Sequence, residues 1–105
     1  MLNVSLWEEM SSMSYGRAGH ACGQVENAAT GKEEVVVAGG WAGGQLVLQS
    51  VDIYSVPDDN WRSGTPLPQS IQFANYVSFE DSFLVIGGAG HSLPLGKIYK
   101  VIKYL

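Results

Sequence analysis

The feature that most constrains this chain is a stretch that occurs twice. EEVVVAGGWAGG at 33–44 is matched by DSFLVIGGAGHS at 81–92, and each copy runs from a polar start through apolar residues to a glycine pair and a loop. Runs of β-branched or aromatic residues that end in glycine predict short strands. Because consecutive positions in these runs are apolar, we expect both faces of the two strands to be buried.

The similarity continues along the chain and defines an internal repeat. Trp7 aligns with Trp61 at an offset of 54 residues. The offset falls to 48 at the glycine pairs and to 45 where Tyr54 aligns with Tyr99. Order is kept, and the length changes fall in turn-like segments such as NAATGK at 27–32. A repeat of structural units explains this pattern.

The repeating unit is predicted to contain four short strands. SVDIYSV at 50–56 alternates along its length, and VPDDNW at 56–61 has the composition of a turn. No segment has a convincing helical period, and the 13 glycines and four prolines disfavour helices. A four-stranded unit of about 45–50 residues is typical of a β-propeller blade. The predicted strands are a (about 19–26), b (33–40), c (50–56) and d (60–64), then a (73–80), b (82–88) and c (97–102), with a first d strand at about 5–9.

The unit resembles the kelch repeat. In that family an arginine, often with a histidine or glycine, precedes strand a, a glycine doublet ends strand b, a tyrosine lies in strand c and a tryptophan in strand d. The matching residues are Arg17, His20, Gly39, Gly40, Tyr54 and Trp61, with Gly87, Gly88 and Tyr99 in the second copy and Trp7 in the first d strand. The second copy departs from the pattern, since Ile71 stands where the first has Arg17.

The resemblance implies an all-β fold of two kelch-type β-propeller blades of antiparallel strands, a full blade at about 17–64 and a partial blade at about 71–102. The landmarks also have physical roles of their own. Paired glycines permit positive φ or close backbone approach. A tyrosine and a tryptophan in each unit are bulky fillers between adjacent sheets. Stacked neighbours bury the two apolar faces that one sheet cannot bury alone.

Two blades form an incomplete propeller, because kelch propellers usually have about five to seven. Two sheet faces would then be exposed. We expect the chain to be a fragment of a longer kelch protein. One alternative is a two-blade wedge that folds against a partner. The other is self-assembly, in which three copies complete a propeller and the first d strand of one chain joins the a–b–c sheet of the next.

The remaining motifs favour no enzyme, metal site or cofactor. Asp58 and Asp59 have the chemistry of a turn. Cys22 beside His20 reads as core packing rather than an oriented nucleophile and base. A net charge of −4 without a Lys/Arg cluster argues against nucleic acid, and no apolar run is long enough to span a membrane. A single cysteine and no signal peptide favour a cytoplasmic protein.

The resemblance implies a non-enzymatic protein-protein interaction module, of the kind that serves as a scaffold or substrate adaptor. In kelch propellers the d–a and b–c loops gather on one face and form the protein-binding surface. The alternatives are a fragment of a kelch-type propeller enzyme and a glycan-binding propeller assembled from several chains. The partner-binding residues that this implies are Tyr15, Arg17, Gln69 and Gln72 in the d–a loops and Trp41, Gln45 and His91 in the b–c loops.

Two of these residues have competing interpretations. Trp41 follows a glycine doublet directly, which suits an interface anchor, although it can also cap the edge of the next sheet. Arg17 is either a structural partner between blades or a contact for an acidic motif. The structural role is favoured for Arg17.

Overall fold

The chain folds into two open antiparallel β-sheets. The computed structural model describes residues 6–79, 82–90 and 94–102. Over these ranges the chain forms no helix, and so none that could cross a membrane. The all-β prediction is confirmed, and each strand overlaps one that the sequence predicts. The strands are β1 (Ala21–Glu26), β2 (Glu33–Ala38), β3 (Val51–Ser55) and β4 (Asn60–Ser63) in sheet 1, and β5 (Asn75–Phe79), β6 (Ser82–Ile86) and β7 (Ile98–Ile102) in sheet 2, each sheet in chain order.

Local turn chemistry sets the ends of the strands in sheet 1. Between β1 and β2, the side-chain oxygen of Asn27 accepts a hydrogen bond of 2.9 Å from the N–H of Ala29, and Gly31 follows with φ at 74°. Between β3 and β4, Asp59 has φ at 51° and its N–H donates to the Ser55 carbonyl at 2.9 Å. Asparagine and aspartate suit these positions because they tolerate left-handed backbone and bond to neighbouring backbone groups.

Glycine pairs follow β2 and β6 and turn the backbone out of each sheet. Gly39 and Gly40 have φ values of 66° and 101°, and Gly87 and Gly88 have 69° and 90°. These values lie in the region that glycine enters without steric cost. Space is short as well, since a Cβ on Gly40 would lie 2.8 Å from the carbonyl oxygen of Ala18. The pairs are needed for backbone geometry in both repeats.

The hydrophobic core lies between the two sheets. Phe83 is 1% exposed, and Val36 and Val85 are each 3% exposed. In the antiparallel register Gly23 lies opposite Val36 and Tyr99 lies opposite Val85. The ring of Phe83 packs so closely on Gly23 that a Cβ there would collide with it. This missing side chain lets the two sheets approach each other.

The other face of sheet 1 is covered by residues 11–17, here called the strap. Tyr54 and Trp61 lie opposite each other on this face, with ring centroids 4.9 Å apart. The indole N–H of Trp61 donates to the Ser11 carbonyl at 2.7 Å, and the Ser11 N–H donates to the Asp59 carboxylate at 2.9 Å. The strap therefore lies where a neighbouring sheet would otherwise pack.

The N-terminal side differs from the sequence-based expectation. Residues 6–9 form no strand, so the d strand predicted at about 5–9 is not formed over the part described. Trp7 is 103% exposed and fills no space between sheets. The reason is positional, because the strap leads this segment onto the face of sheet 1 that is turned away from sheet 2. The segment thus cannot pair with β7 of its own chain, and seven strands are described instead of the eight predicted.

Sheet 2 leaves its outer face open. Val77 and Ile98 lie on the side turned away from sheet 1 and are 47% and 62% exposed. Their cross-strand partners Leu84 and Ile86 lie on the same face and are half-buried. An apolar sheet face of this kind is typical of a repeat unit without its neighbour. The two sheets do not close into a ring, as the sequence predicts for an incomplete propeller.

Candidate binding face formed by the glycine-doublet loops

Three loops meet at the end of the sheets where the glycine pairs lie. They are the first d–a loop (residues 12–20), the b–c loop (residues 39–50) and the second d–a loop (residues 64–74). Ala18 and Trp41 join the first two, since the N–H of each donates to the carbonyl of the other, at 2.9 and 2.7 Å. The first d–a loop and the b–c loop are therefore locked together by a short antiparallel bridge.

The second d–a loop is joined to both of the others. The N–H of Gly40 donates to the Ile71 carbonyl at 2.8 Å, and the N–H of Phe73 donates to the Gly19 carbonyl at 2.7 Å. A Cβ on Gly39 would collide with the same Ile71 carbonyl. The three loops thus form one platform, because their backbone groups bond to each other.

Trp41 is fixed on this platform and remains 42% exposed. Its backbone forms bridges with Ala18 on one side and Val47 on the other. Its indole N–H donates to the Gly44 carbonyl at 2.8 Å, so the ring is held as well as the backbone. An aromatic ring that is both exposed and already ordered loses little conformational entropy on binding.

Phe73 combines an exposed ring with an unusual backbone conformation. Its φ is 57°, and the residue is 69% exposed. In the internal repeat Phe73 occupies the position of Gly19, whose φ is 65°. A residue with a Cβ costs about 1–2 kcal/mol in this region, and such strain is concentrated at ligand clamps and other functional sites. The chain therefore presents an aromatic ring where the backbone favours glycine.

A groove of about 640 Å³ lies between the b–c loop and the second d–a loop. We call it the aromatic groove. None of its lining residues is charged, although the chain carries a net charge of −4. A smaller cavity of about 170 Å³ lies between the facing sides of the sheets and continues the core. The aromatic groove is lined by Trp41, Gly44, Gln45, Val47, Gln72 and Phe73.

Five of the predicted partner-binding residues differ in where they lie. Trp41, Gln45 and Gln72 line the aromatic groove. Tyr15 is 45% exposed but lies on the strap, beside a separate depression. Gln69 is half-buried, and its side-chain nitrogen has no hydrogen-bond partner among the described residues. The structure thus brings three of the five together.

The remaining two predicted residues are Arg17 and His91, and Arg17 does not contribute to this face. The prediction that Arg17 binds a partner is wrong, because its side chain is 0% exposed and cannot contact one. Its guanidinium donates to the Gly39 and Ser50 carbonyls at 3.0 and 3.2 Å and to the Asp52 carboxylate at 2.6 Å. These bonds give Arg17 the structural role that the sequence favoured. His91 lies outside the described residues.

The environments of His20 and Cys22, at the start of β1, disfavour their charged forms. Burial, with the nearby Arg17 guanidinium, lowers the pKa of His20 below its usual 6.5. Burial raises the pKa of the Cys22 thiol. Both groups are therefore uncharged near neutral pH, which disfavours a thiolate nucleophile. Over the described residues, no three His, Cys, Asp or Glu side chains are grouped closely enough to hold a metal ion.

Comparison with known proteins identifies the first repeat. Residues 27–68 match the kelch motif. The matched span is 42 of the 105 residues. The matched span includes β2, β3 and β4, together with the b–c loop that carries Trp41. Strands β2, β3 and β4 of sheet 1 therefore lie within the part of the chain that is similar to the kelch motif, and β1 precedes it. A search of curated proteins finds no match to the chain.

Sheet 2 repeats the arrangement of the first three strands of sheet 1. The loop bridges are repeated too, because Gln72 and Ala89 exchange backbone hydrogen bonds of 2.8 and 2.9 Å where the first blade has Ala18 and Trp41. The small Ala89 takes the position of Trp41. The two blades thus share a backbone plan and differ in the side chains that they present at the loops.

Phe73 is the residue of this face that the sequence-based prediction missed. The signal was present in the repeat, since RAGHA at 17–21 aligns with IQFAN at 71–75 at an offset of 54 and sets Phe73 against Gly19. A bulky residue at a position where its copy has glycine indicates strain or function. Val47 and Gly44 carried no comparable signal.

Proposed function

We propose that this protein is a non-enzymatic protein-protein interaction module whose kelch blades present the d–a and b–c loops to a protein partner. The observation that supports this function is the pair of exposed rings, Trp41 and Phe73, on a platform of hydrogen-bonded loops. Ordered aromatic residues of this kind supply most of the binding energy at protein interfaces. Scaffold and substrate-adaptor roles are particular forms of this function, which accompanying domains would decide.

The proposal places the two blades in a larger propeller. Val77 and Ile98 expose an apolar sheet face that a further blade would cover. Further repeats of a longer kelch protein, or further copies of this chain, would supply that blade. The free Cys22 suits a reducing compartment, and we place the protein in the cytoplasm. The function proposed requires no cofactor and no nucleic acid.

A comparison of three versions of the chain tests the function. The wild type, Trp41→Ala and Trp7→Ala are immobilised and exposed to a cell extract, and the retained proteins are quantified by mass spectrometry. Trp7 is the matched control, because it is an exposed tryptophan that lies off the loop platform. We expect proteins that the wild type and Trp7→Ala retain in common to be lost with Trp41→Ala.

A protein found in this way is then purified and titrated against the same three versions. We expect Trp41→Ala to weaken its binding by about 2 kcal/mol or more, the scale of an interface anchor. Trp7→Ala should bind as the wild type does. Retention of the same proteins at the same affinity by all three versions would contradict a binding role for the loop face.

A further inference from the structure

The aromatic groove has a chemistry that narrows the class of its ligand, and the inference drawn from it rests on the proposed function. One wall comes from the b–c loop and includes Trp41, Gln45 and Val47, and the other comes from the second d–a loop and includes Gln72 and Phe73. We propose that this groove binds an extended, uncharged, proline-containing peptide segment of the partner protein.

The lining excludes charged ligand groups. None of the residues that line the groove carries a charge. A charged side chain that entered the groove would lose water without gaining an opposite charge, which is unfavourable. The chain's net charge of −4 further disfavours an acidic segment. The ligand is therefore neutral where it contacts the groove.

Three of the backbone N–H groups in the lining are already engaged. The N–H groups of Trp41, Gln72 and Phe73 already donate to carbonyls of Ala18, Ala89 and Gly19. A peptide that binds as an added β-strand needs a free row of N–H and C=O groups. With these three groups engaged, strand addition is disfavoured and recognition by side chains is favoured.

The side chains that remain match an extended proline-containing segment. Such a segment forms no internal backbone hydrogen bonds, so its carbonyls are free to accept. The side-chain amides of Gln45 and Gln72, which both line the groove, are of a type that can donate to these carbonyls. The rings of Trp41 and Phe73 provide the aromatic surface on which proline rings pack in other grooves of this type.

The strain at Phe73 fits the same role. The backbone holds Phe73 at φ 57°, and its ring lies against Gly19, where a Cβ would come within 2.6 Å of it. This contact restricts the ring on one side before a ligand arrives. Ordering in advance lowers the entropic cost of binding. A glycan would also be uncharged and would also stack on these rings, but its many hydroxyl groups would find only two side-chain amides.

Arrays of synthetic peptides and of glycans test the assignment. The wild-type chain, Phe73→Gly, Trp41→Ala and the control Trp7→Ala are applied to three sets of short peptides: neutral with proline, neutral without proline, and charged. We expect binding to be concentrated in the neutral peptides with proline. For those peptides Phe73→Gly and Trp41→Ala should weaken binding about tenfold or more, whereas Trp7→Ala should leave it unchanged.

Several results would overturn the assignment. They are a preference for charged or proline-free peptides, wild-type affinity in Phe73→Gly, binding to glycans alone, and no binding to any peptide up to about 1 mM. Circular dichroism and thermal melting establish that each variant is folded. If the arrays fail but Trp41→Ala still loses a partner from cell extract, the interaction function stands and only the ligand class is wrong. If both fail, the proposed function fails with it.

Discussion

The guanidinium of Arg17 lies 2.6 Å from the carboxylate of Asp52, and the arginine side chain is wholly buried. The same guanidinium also donates to the carbonyls of Gly39 and Ser50. This one side chain therefore connects the strap, the first glycine doublet and the start of β3. The loop platform depends on it for its position.

Loss of Asp52 is the first prediction. Asp52→Ala leaves the buried Arg17 charge without its partner, and we expect the free energy of unfolding to fall by about 3–5 kcal/mol. Urea denaturation measures the change. The matched control is Lys32→Ala, which breaks the exposed ion pair with Asp58, where both side chains are more than 40% exposed. That variant should lose at most about 1 kcal/mol, and equal losses in the two variants would contradict the structural role of Arg17.

The glycine doublet gives the second prediction. Gly39→Ala introduces a side chain at φ 66°, against the Ile71 carbonyl. Gly31→Ala has a similar φ of 74° but meets nothing within 4 Å. We expect a loss of about 1–2 kcal/mol for Gly31→Ala from backbone strain alone, and a further loss of about 1–3 kcal/mol for Gly39→Ala from the collision. Similar urea midpoints for the two variants would show that the loop contact is not tight.

The hydrogen-bonded group of Ser11, Tyr54 and Asp59 should make stability sensitive to pH at both extremes. The backbone N–H of Ser11, then the hydroxyl of Tyr54, lower the pKa of Asp59 below its usual 3.8. The unfolded chain then takes up the proton first as the pH falls, so stability present above about pH 4 is lost below it. The hydrogen bond to Asp59, then burial, raises the pKa of Tyr54 from 10.0 to about 12. The unfolded chain loses that proton first, so stability also falls between about pH 10 and 12.

Two variants separate these limbs of the pH profile. Tyr54→Phe should flatten the alkaline limb, because phenylalanine does not titrate. Asp59→Asn should flatten the acidic limb for the same reason. Urea unfolding across the pH range measures both. Parallel wild-type and Tyr54→Phe curves above about pH 9 would show that the hydrogen bond to Asp59 does not hold the Tyr54 proton in the folded chain.

The strands were predictable because their signals are local and occur twice. The apolar run of β2 and the glycine pair after it have counterparts in β6 and the glycine pair that follows β6, and the alternation of β3 follows from its own residues. The position of Trp7 was not predictable in this way. A d strand needs a neighbouring c strand, and the fold brings none to Trp7 within the described part of the chain.

The contacts of the strap and the conformation of Phe73 depend on residues that are far apart in the sequence, so local patterns did not predict them. Ser11 bonds to Asp59 across 48 residues of sequence. The positive φ of Phe73 strains the backbone of any residue that has a Cβ. The hydrogen bond from the Phe73 N–H to the Gly19 carbonyl holds the residue there. Patterns within a short window do not report such contacts. The repeat alignment did contain a signal for Phe73, since its copy is a glycine.

The strain at Phe73 gives a prediction that separates stability from binding. Phe73→Gly removes the strain of a Cβ at positive φ, which should raise the free energy of unfolding by about 1 kcal/mol. The loss of the ring contacts offsets part of this gain, and these contacts are few because the residue is 69% exposed. We expect a net change within about 1 kcal/mol of the wild type. Phe73→Val keeps the strain, loses the ring and should be less stable than Phe73→Gly. The reverse order in urea unfolding would show that the backbone at Phe73 is not strained.

A double-mutant cycle tests whether Gly19 and Phe73 are coupled across the two blades. Gly19→Ala places a Cβ at φ 65° and within 2.6 Å of the Phe73 ring, so in the wild-type background both strain and collision oppose it. In the Phe73→Gly background only the strain remains, at about 1–2 kcal/mol. We expect Gly19→Ala to cost about 1 kcal/mol more in the presence of the ring. An equal cost in both backgrounds would mean that the ring moves aside freely, and Phe73 would then not be the ordered anchor that the binding proposal requires.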